Sequence, residues 1–399
     1  MRKLVIVAGV VGLLFVSGVV ALASTGKTTK LDASKPPVRF AVISISLPGV
    51  PLLTDLNAGA QAAAAQINAA GGFGGRKVIV DSCNSSSQTA AAVACAHSTL
   101  SNHPILEFGC DTVWGNAGLP IYADAKVPSF NCMNTAADFN NPYNFGINPS
   151  GVGEARASAR FACSRKDVTS WLGLWPELPA FHADQALAAQ IVQGCGKQVL
   201  PPVFYPLTAA DVTPYVSKVV QANPGLVTFF AVGAQPVLFF KGFQQNDFPA
   251  SRVTIPSSAL VYDSVIKPAG SAIDGAYWLG EFVPWSDKKN PEVAKYLRAF
   301  KRSSVDPRNA EVENGYAYVY WFYRVAKSVG FDKFNSQSLV HFMNTAHNVH
   351  IPLSRTLFNP GPKKFPQQRQ PYTQIAQLRN GKLNVVPTGA KKDGWVFGY

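Results

Sequence analysis

The sequence lacks the motifs by which several enzyme classes are recognised. It has no G-x-S-x-G elbow for a nucleophilic serine and no H-E-x-x-H pair for zinc. Paired carboxylates at a spacing suited to acid–base catalysis are also missing. The histidine cluster, His341, His347 and His350, has spacings of six and three residues, which do not place all three side chains on one helical face. We therefore expect a protein that is not an enzyme and that uses no metal and no cofactor.

Acidic residues are also few, at 23 against 36 basic ones, so the formal net charge is +13. The basic residues are scattered along the sequence, apart from short clusters near its end such as Lys391-Lys392. Nucleic-acid binding would need a basic stripe with interleaved aromatic residues, and the sequence shows none. We expect no nucleic-acid partner, whereas attraction to an acidic cell envelope or to anionic ligands stays open.

Long apolar runs are absent except near the start. Two basic residues precede an apolar run over 4–20, and the small-residue site Ala21-Leu22-Ala23 follows. This pattern predicts an export signal over 1–23, with an uncleaved membrane anchor as the alternative. The polar residues 24–37 are expected to form a flexible leader. We expect the protein to act outside the cytoplasmic membrane.

The cysteines lack the spacing of a redox or zinc site, because no two of them form a C-x-x-C pair. None precedes Cys83, which removes the usual lipid-attachment site of a bacterial lipoprotein. Six cysteines in an exported chain instead indicate disulfides, since that compartment is oxidising. The count alone leaves fifteen pairings open.

Short β-rich runs alternate with helical patterns along most of the chain. The apolar run 39–46, for example, precedes apolar residues at helical spacing over 56–67. The alternation restarts after 148–151, and the stretch 371–386 has the pattern of a hairpin around Asn380-Gly381. Repeated βαβ units predict an α/β fold with parallel sheets covered by helices on both faces. A length of 399 residues favours two domains.

Two late helices are predicted over 291–302 and 310–329. The second carries Tyr316, Tyr320 and Tyr323 on neighbouring faces. We interpret this aromatic stripe as core or inter-lobe packing rather than as a ligand site.

The segment Gly71-Gly72-Phe73-Gly74-Gly75 looks like a phosphate-binding loop. Such loops precede a helix, whose N-terminal N–H groups hold the phosphate. This segment instead ends a predicted helix and enters a predicted strand. We therefore interpret it as a helix C-cap followed by a tight turn.

Polar and aromatic residues gather directly after the predicted strands. In open α/β sheets, ligands bind at the carboxyl ends of the strands. We therefore expect ligand contacts in the loops 46–54, 110–116, 131–135, 175–181, 233–236 and 256–263.

Several segments resemble the type I periplasmic binding proteins, above all the leucine/isoleucine/valine-binding group of branched-chain amino acid ABC transporters. The similarity covers most of 38–385. It is carried by Asn57-Ala58-Gly59-Ala60, Ile67-Asn68-Ala69-Ala70-Gly71-Gly72, Gly75-Arg76-Lys77-Val78, Ala125-Lys126-Val127-Pro128, Asp211-Val212-Thr213-Pro214 and Asn314-Gly315-Tyr316-Ala317-Tyr318.

The resemblance implies two Rossmann-like lobes with parallel sheets, joined by three hinge crossovers. The lobes would close on a ligand that docks first on lobe 1, a population shift toward the state with the better ligand contacts. The crossovers are expected near 148–151, 275–280 and 348–353, with 38–148 and 278–348 in lobe 1, and 149–277 and 349–399 in lobe 2.

The resemblance also indicates which residues of lobe 1 hold the ligand. In the amino acid binders, hydroxyl and N–H groups after the fourth and fifth strands hold the α-carboxylate. The matching positions here are Asp111-Thr112 and Asn134-Thr135. Trp114 adds apolar area that would cover a ring or a hydrocarbon.

Lobe 2 departs further from the family pattern. The family's Asp-x-x-x-Tyr-Gly stretch is replaced by 175–181, so Phe181 would stand in for the tyrosine and Trp175 would join it as aromatic cover. Gln235 and Ser257 stand where the amino acid binders have a tyrosine and the acidic partner of the ammonium, and Tyr262 adds apolar area. The acidic partner of an ammonium group is therefore expected to be lost.

The same family bridges the positions of Cys83 and Cys110, which both end predicted strands on one rim of lobe 1. We therefore expect this disulfide, and a second one between Cys163 and Cys195 that links two helices of lobe 2. Cys95 and Cys132 remain as a third pair.

The expected function is the substrate-binding component of an ABC importer, a monomer whose partners are permease and ATPase subunits. Its ligand is expected to be small and largely apolar, such as a carboxylate without a free amine. The alternatives are branched-chain amino acid binding and, in a different class, a ligand-sensing receptor ectodomain of the same fold.

Overall fold

The computed structural model describes residues 30–46, 55–86, 88–109, 117–131, 136–231, 235–256, 263–354, 357–358, 367, 372–388 and 395–397. Within these ranges, no helix combines the length and the apolar character that a membrane span needs. The expected signal over 1–23 lies outside them. Of the expected leader, residues 30–37 are described; they are exposed and held to the glycine turn by a hydrogen bond from the Asp32 N–H to the Gly75 carbonyl oxygen (2.8 Å).

Five parallel strands form the first sheet, in the order β2-β1-β3-β4-β5. Side chains alternate across β1, so Phe40 and Val42 enter the main core of this sheet while Ala41 packs on its other face. Burial on both faces explains why the strand is a continuous apolar run. The strands are β1 (Val38–Ser44), β2 (Val78–Asn84), β3 (Leu106–Gly109), β4 (Ser129–Asn131) and β5 (Asn144–Phe145).

Helices connect these strands and cover the first sheet. They are α1 (Asp55–Ala69), α2 (Thr89–Leu100), α3 (Leu119–Asp124) and α4 (Ala136–Asn140). Three helices from later in the chain, α10 (Pro291–Ala299), α11 (Ala310–Val329) and α12 (Ser336–Thr345), add to the same core. We call this sheet and its helices lobe 1.

Helices α1 and α11 cross with their backbones in contact, which two glycines permit. A methyl group on Gly315 would lie 2.0 Å from the Leu56 carbonyl oxygen, and one on Gly59 would lie 1.9 Å from the Val312 carbonyl oxygen. No side chain fits at either position. The helix predicted over 310–329 is confirmed, and its tyrosines pack in lobe 1, where the hydroxyls of Tyr316 and Tyr320 both donate to Gln66 Oε1 (2.8 Å each).

The second sheet has nine strands and mixes parallel with antiparallel pairs. Parallel strands run from β7 through β6, β9 and β10 to β11, and β8 pairs with β6. The C-terminal strands β14, β15 and β16 join them antiparallel. The strands are β6 (Ser170–Pro176), β7 (Gln198–Val199), β8 (Val203–Tyr205), β9 (Leu226–Phe229), β10 (Val253–Pro256), β11 (Tyr277–Gly280), β14 (Tyr372–Arg379), β15 (Lys382–Val385) and β16 (Trp395–Phe397).

Five helices accompany the second sheet, and we call this unit lobe 2. They are α5 (Ser150–Ser164), α6 (Pro179–Gly194), α7 (Thr213–Ala222), α8 (Gln235–Gln245) and α9 (Asp263–Ala269). The hairpin predicted around Asn380-Gly381 is confirmed as β14 and β15, which pair from Ala376 with Val385 to Arg379 with Lys382. The exact lobe boundaries expected near 148, 277 and 348 stay predictions.

The glycine segment after α1 is a turn, as predicted. The helix ends at Ala69, and Phe73 pairs with Arg76 in a short bridge before β2. Gly71 (φ 100°) and Gly74 (φ 63°) adopt the left-handed backbone region that favours glycine. The glycine segment follows the C-terminus of α1, so it does not present the N–H groups of a helix N-terminus to a phosphate.

Of the three expected cysteine pairs, one is confirmed and two are wrong. Cys163 bonds to Cys195 and joins the ends of α5 and α6, with the Cα atoms 5.9 Å apart. Cys83 bonds to Cys95, not to Cys110, across a Cα distance of 5.6 Å. The reason is that β2 continues through Cys83, and α2 lies back along β2 with Cys95 facing it, so the helix above the strand supplies the partner. The expected pairing of Cys95 with Cys132 is excluded as well; Cys110 and Cys132 lie outside the described residues.

Candidate functional site

Neighbouring parallel strands of each sheet end at the same edge of the sheet, so the loops that follow them lie at this edge. In lobe 1 the last residues of β3 and β4, Gly109 and Asn131, are register partners. In lobe 2, Leu174 pairs with Phe229, and Thr228 pairs with Thr254. Of the predicted ligand residues, Asp111, Thr112, Trp114, Asn134, Thr135, Ser257 and Tyr262 lie outside the described residues, and their ligand contacts stay predictions.

Three aromatic rings meet at the carboxyl edge of lobe 2. Trp175 stacks on Phe230 with the ring centroids 5.5 Å apart and the planes 17° apart. Phe181 contacts Phe230 at 4.6 Å and Trp175 at 6.1 Å. We call Trp175, Phe181 and Phe230 the aromatic triad.

The members of the aromatic triad differ in burial. Trp175 is fully buried, Phe230 is 8% exposed, and Phe181 is half-buried. The predicted strand ended at Leu174, but β6 continues to Pro176, so Trp175 belongs to the sheet and packs in the core of lobe 2. Phe181 lies in the first turn of α6 and is the member of the triad whose ring is exposed enough to contact a ligand.

Two unpartnered polar atoms lie beside the triad. Trp175 Nε1 and Gln185 Oε1 are both buried, and neither makes a hydrogen bond. A methyl group on Gly173 would lie 1.9 Å from Gln185 Oε1 and 2.1 Å from Trp175 Nε1, so both atoms approach the same point over β6. A buried donor or acceptor without a partner costs about 1–3 kcal/mol, which marks this place as strained or as prepared for another partner.

Gln235, the first residue of α8, is buried at the same edge. Its Nε2 donates to the Leu207 carbonyl oxygen, while its Oε1 accepts no hydrogen bond. The amide NH2 group is thus fixed by one hydrogen bond, while the amide oxygen is left as an unused acceptor among the described residues. The role of Gln235 as a ligand contact stays a prediction.

Asp184 on α6 is a buried carboxyl that the sequence analysis missed. It is 6% exposed, and none of the described residues forms an ion pair with it. Burial raises the pKa of Asp184 to about 7. Its Oδ2 lies 3.1 Å from the point where a methyl group on Gly151 would stand, at the start of α5.

The spacing along α6 could have identified these residues. Phe181, Asp184 and Gln185 stand at positions i, i+3 and i+4, which share one face of a helix. Phe230 gave no separate signal, because the ligand loop in this part of the chain was predicted to begin only at residue 233.

Two further buried carboxyls lie near the point where the chain leaves β11 of lobe 2 and enters the core of lobe 1. Glu281 and Glu313 are each 4% exposed, and the Tyr318 hydroxyl donates to Glu281 Oε2 (3.3 Å). Burial, and then the neighbouring Glu281, raises the pKa of Glu313 well above its usual range. Glu313 Oε1 has no hydrogen-bond partner. These carboxyls lie where α11 begins, next to Ala310, which belongs to the core of lobe 2.

Glu292 of α10 holds the chain at the place where the third crossover is expected, 348–353. This carboxylate accepts from Arg324, from His350 Nε2 (3.1 Å) and from the Leu353 N–H (2.8 Å). These hydrogen bonds outweigh burial and lower the pKa of Glu292 to about 2. The carboxylate thus fixes the chain around Leu353 to lobe 1.

Similar solved structures share this fold at low sequence identity. A fatty acid ABC transporter substrate-binding protein from Thermomonospora curvata is 14% identical, with a TM-score of 0.71 over 92% of this chain and 93% of the other. An ABC transporter substrate-binding protein from Sphaerobacter thermophilus is 17% identical, with a TM-score of 0.74 over 90% and 99%. A solute-binding protein of an ABC transporter from R. palustris, in complex with benzoate, is 17% identical, with a TM-score of 0.70 over 90% and 98%.

Sequence comparison identifies the family. No curated protein sequence matches the chain. The family model described as "Periplasmic binding protein" matches residues 45–381, which is most of the chain and spans both sheets. The expected type I arrangement of two α/β lobes agrees with the two sheets and with the similar structures. The chain belongs to the periplasmic binding protein family.

Proposed function

We propose that the protein is the extracytoplasmic substrate-binding component of an ABC importer. It is a non-catalytic monomer that passes its ligand to permease and ATPase subunits. Family membership supports this role, and so do the names of the similar structures, one a fatty acid substrate-binding protein and one a complex with benzoate.

The ligand is small and largely apolar, such as a carboxylate without a free amine. The observation that carries this proposal is the aromatic triad at the carboxyl edge of β6, with Phe181 as its half-buried member. An aromatic surface of this kind stabilises a ring or a hydrocarbon chain by removing its apolar area from water. Trp175 Nε1 and Gln235 Oε1 supply one donor and one acceptor near this surface.

Asp184 favours a second candidate, a branched-chain amino acid. A buried carboxyl without a cation is the group that a ligand's ammonium would need, and an ammonium buried without such a partner costs several kcal/mol. The two candidates differ in the role of Asp184. With an apolar acid as ligand, Asp184 forms no ion pair with the ligand; with an amino acid as ligand, it forms an ion pair with the ammonium group.

Calorimetry on the full chain with benzoate, octanoate and leucine separates the two candidates. We expect binding of at least one of the two acids and leucine binding weaker than about 1 mM. Sub-micromolar leucine binding that Asp184→Asn weakens at least a hundredfold would establish the second candidate instead. Binding of none of the three would leave the importer role to be tested by uptake in a strain lacking the gene, where a sensory ectodomain predicts unchanged uptake.

Truncation of one ring tests the aromatic surface itself. Phe181→Ala should weaken binding of the acid by about 1–3 kcal/mol with a small change in melting temperature, because a half-buried ring is covered mainly when ligand is present. Phe331→Ala is the matched control, since Phe331 is also half-buried but packs on Phe73 and Tyr323 at the far end of lobe 1.

Trp175→Ala measures the alternative in which the ring serves stability alone. Loss of this fully buried ring should cost about 3–5 kcal/mol of unfolding free energy. If Phe181→Ala and Phe331→Ala change the affinity equally, the triad is not the ligand surface.

A further inference from the structure

Six basic side chains lie within α10 or in the residues directly before and after it. All six are exposed, although the sequence showed no such stripe because they are separated by apolar residues that turn into the core. None of the six forms an ion pair among the described residues. We call Lys288, Lys289, Lys295, Arg298, Lys301 and Arg302 the α10 basic face.

The acidic residues of this segment do not cancel its charge. The segment contains Asp287 and Glu292, and Glu292 is already occupied by Arg324, His350 and the Leu353 N–H. Glu292 also acts on Lys295, whose pKa it raises, but six cations against these two carboxylates leave an excess of four positive charges. The face keeps an excess of positive charge.

The cations at the centre of the face are crowded. Lys295 has an exposed side chain, but it lies close enough to the lobe for desolvation to lower its pKa; Arg324 and Arg298 add to this shift, and Glu292 opposes it. Lys295 Nζ stands 4.0 Å from the centre of the Tyr320 ring, which holds the ammonium group above α11. A protein without a partner for this surface would gain stability by spreading these charges apart.

The face is too long for one small anion. Helix α10 spans nine residues, which is roughly 13 Å along its axis, with a pair of cations beyond each end. Lys288 and Lys289 stand before its N-terminus, where the helix dipole disfavours positive charge, so they gain nothing from the helix itself. An array of this length matches a surface that carries many negative groups side by side.

We propose that the α10 basic face rests on the anionic lipid headgroups of the membrane surface beside which a periplasmic binding protein works. The phosphate groups of such a surface complement the row of cations, and each Lys or Arg near it strengthens association about fivefold. The contact holds lobe 1 at the membrane, since α10 packs on the core of lobe 1 through Val293 and Tyr296.

Vesicle sedimentation tests the proposal on the full chain. Vesicles of phosphatidylcholine with 30% phosphatidylglycerol should retain the protein at least tenfold better than pure phosphatidylcholine, at an ionic strength near ~0.05 M, and less so at ~0.3 M. The pure phosphatidylcholine arm measures any contribution of the apolar N-terminal run. Lys295→Gln/Arg298→Gln/Arg302→Gln should lose at least tenfold of the anionic binding.

The control removes equal charge from lobe 2, where Lys218, Lys241 and Lys382 are exposed and form no ion pair with any described residue. Lys218→Gln/Lys241→Gln/Lys382→Gln should lose less than threefold. Because Lys295 also contacts Tyr320, a second variant, Lys288→Gln/Lys289→Gln/Lys301→Gln, repeats the test without that contact and should behave like the first.

Three results would overturn the proposal. One is an absence of binding to anionic vesicles, and another is an equal loss in the lobe 1 and lobe 2 variants, which would reduce the effect to net charge. The third is a rise in melting temperature with 10 mM inorganic phosphate that the α10 variants abolish while vesicles stay unbound, which would assign the face to a free anion.

Discussion

The two lobes share an architecture but are held together differently. Lobe 1 is an all-parallel sheet whose largest helices, α1 and α11, touch backbone to backbone at Gly59 and Gly315. Lobe 2 buries a hydrogen-bonded network inside its sheet: Trp171 Nε1 donates to Thr228 Oγ1 (2.8 Å), and Thr254 Oγ1 donates to Thr228 Oγ1 (3.2 Å). Lobe 1 should therefore be sensitive to added volume, and lobe 2 to lost hydrogen bonds.

The disulfides give the largest expected effects and separate the lobes by loop length. Cys163–Cys195 closes 32 residues and Cys83–Cys95 closes 12. Loop-closure entropy predicts losses of about 4 and about 3 kcal/mol when each pair is changed to serine. Urea unfolding of the two double variants measures the difference, and a larger loss for Cys83→Ser/Cys95→Ser would contradict the loop-length argument.

The next largest loss of unfolding free energy is expected from added volume in lobe 1. Gly315→Ala should cost about 3 kcal/mol, because its methyl group meets the Leu56 carbonyl oxygen and the helices must separate. Gly194→Ala at the end of α6 has open space around it and should be neutral or stabilising by up to ~1 kcal/mol. Thermal unfolding of both variants checks this; equal melting temperatures would mean that the crossing relaxes freely.

Loss of a hydrogen bond in lobe 2 should cost about 2 kcal/mol. Thr228→Val keeps the shape but leaves the Trp171 N–H without its acceptor and removes the hydrogen bond that Thr228 donates to Ser158 Oγ, whereas the Thr254 hydroxyl still donates to the Val227 carbonyl oxygen (3.0 Å). Thr345→Val is the control, because its hydroxyl bonds only the His341 carbonyl oxygen at an exposed site. A Thr228→Val protein as stable as the parent would show that the network adds nothing to the stability of lobe 2.

The buried carboxyls distinguish the lobes by the pH range over which each of them changes the stability. Glu313 and Asp184 both have raised pKa values in the folded protein, so their contribution is fully present below the unfolded pKa and declines as pH rises. The loss is at most about 1.4 kcal/mol per pH unit and group. For Asp184 it runs from pH near 4 to about 7, whereas for Glu313 it continues to higher pH.

Unfolding free energies between pH 4 and 9 test this expectation. Glu313→Gln should be more stable than the parent at pH 8 and similar at pH 4, with a flatter profile. Asp184→Asn should flatten only the part below pH 7. If Glu313→Gln destabilises the protein at pH 8, the carboxylate is ionised and paired, contrary to its burial.

Part of this structure could be read from the sequence because the signal is local. Helix α11 was predicted with its observed bounds, since apolar residues recur at helical spacing between Asn309, which caps it, and Gly330 (φ 96°), which ends it. The hairpin at Asn380-Gly381 followed from turn chemistry in the same way. The two-residue strands β5, β12 (Val349–His350) and β13 (Leu357–Phe358) were not predicted, because they are too short to show alternation.

The candidate site was less accessible, because contacts between distant residues define it. Phe181 could be predicted from its place after a strand, but the burial of Trp175 depends on β6 continuing past Leu174 and on Phe230 stacking over the ring. Asp184 was missed, since its loss of water comes from the packing of α6 against the start of α5.

The α/β alternation, the turn at 71–75 and the family can be inferred from the sequence, because periodicity, glycine conformation and short motifs act over a few residues. The pairing of Cys83 with Cys95, the exposure of six separated cations in and around α10, and the burial of Glu281 and Glu313 appear only in three dimensions. Those features depend on which surface of a helix lies over which strand. That choice is made by core packing across the whole chain, which no local pattern records.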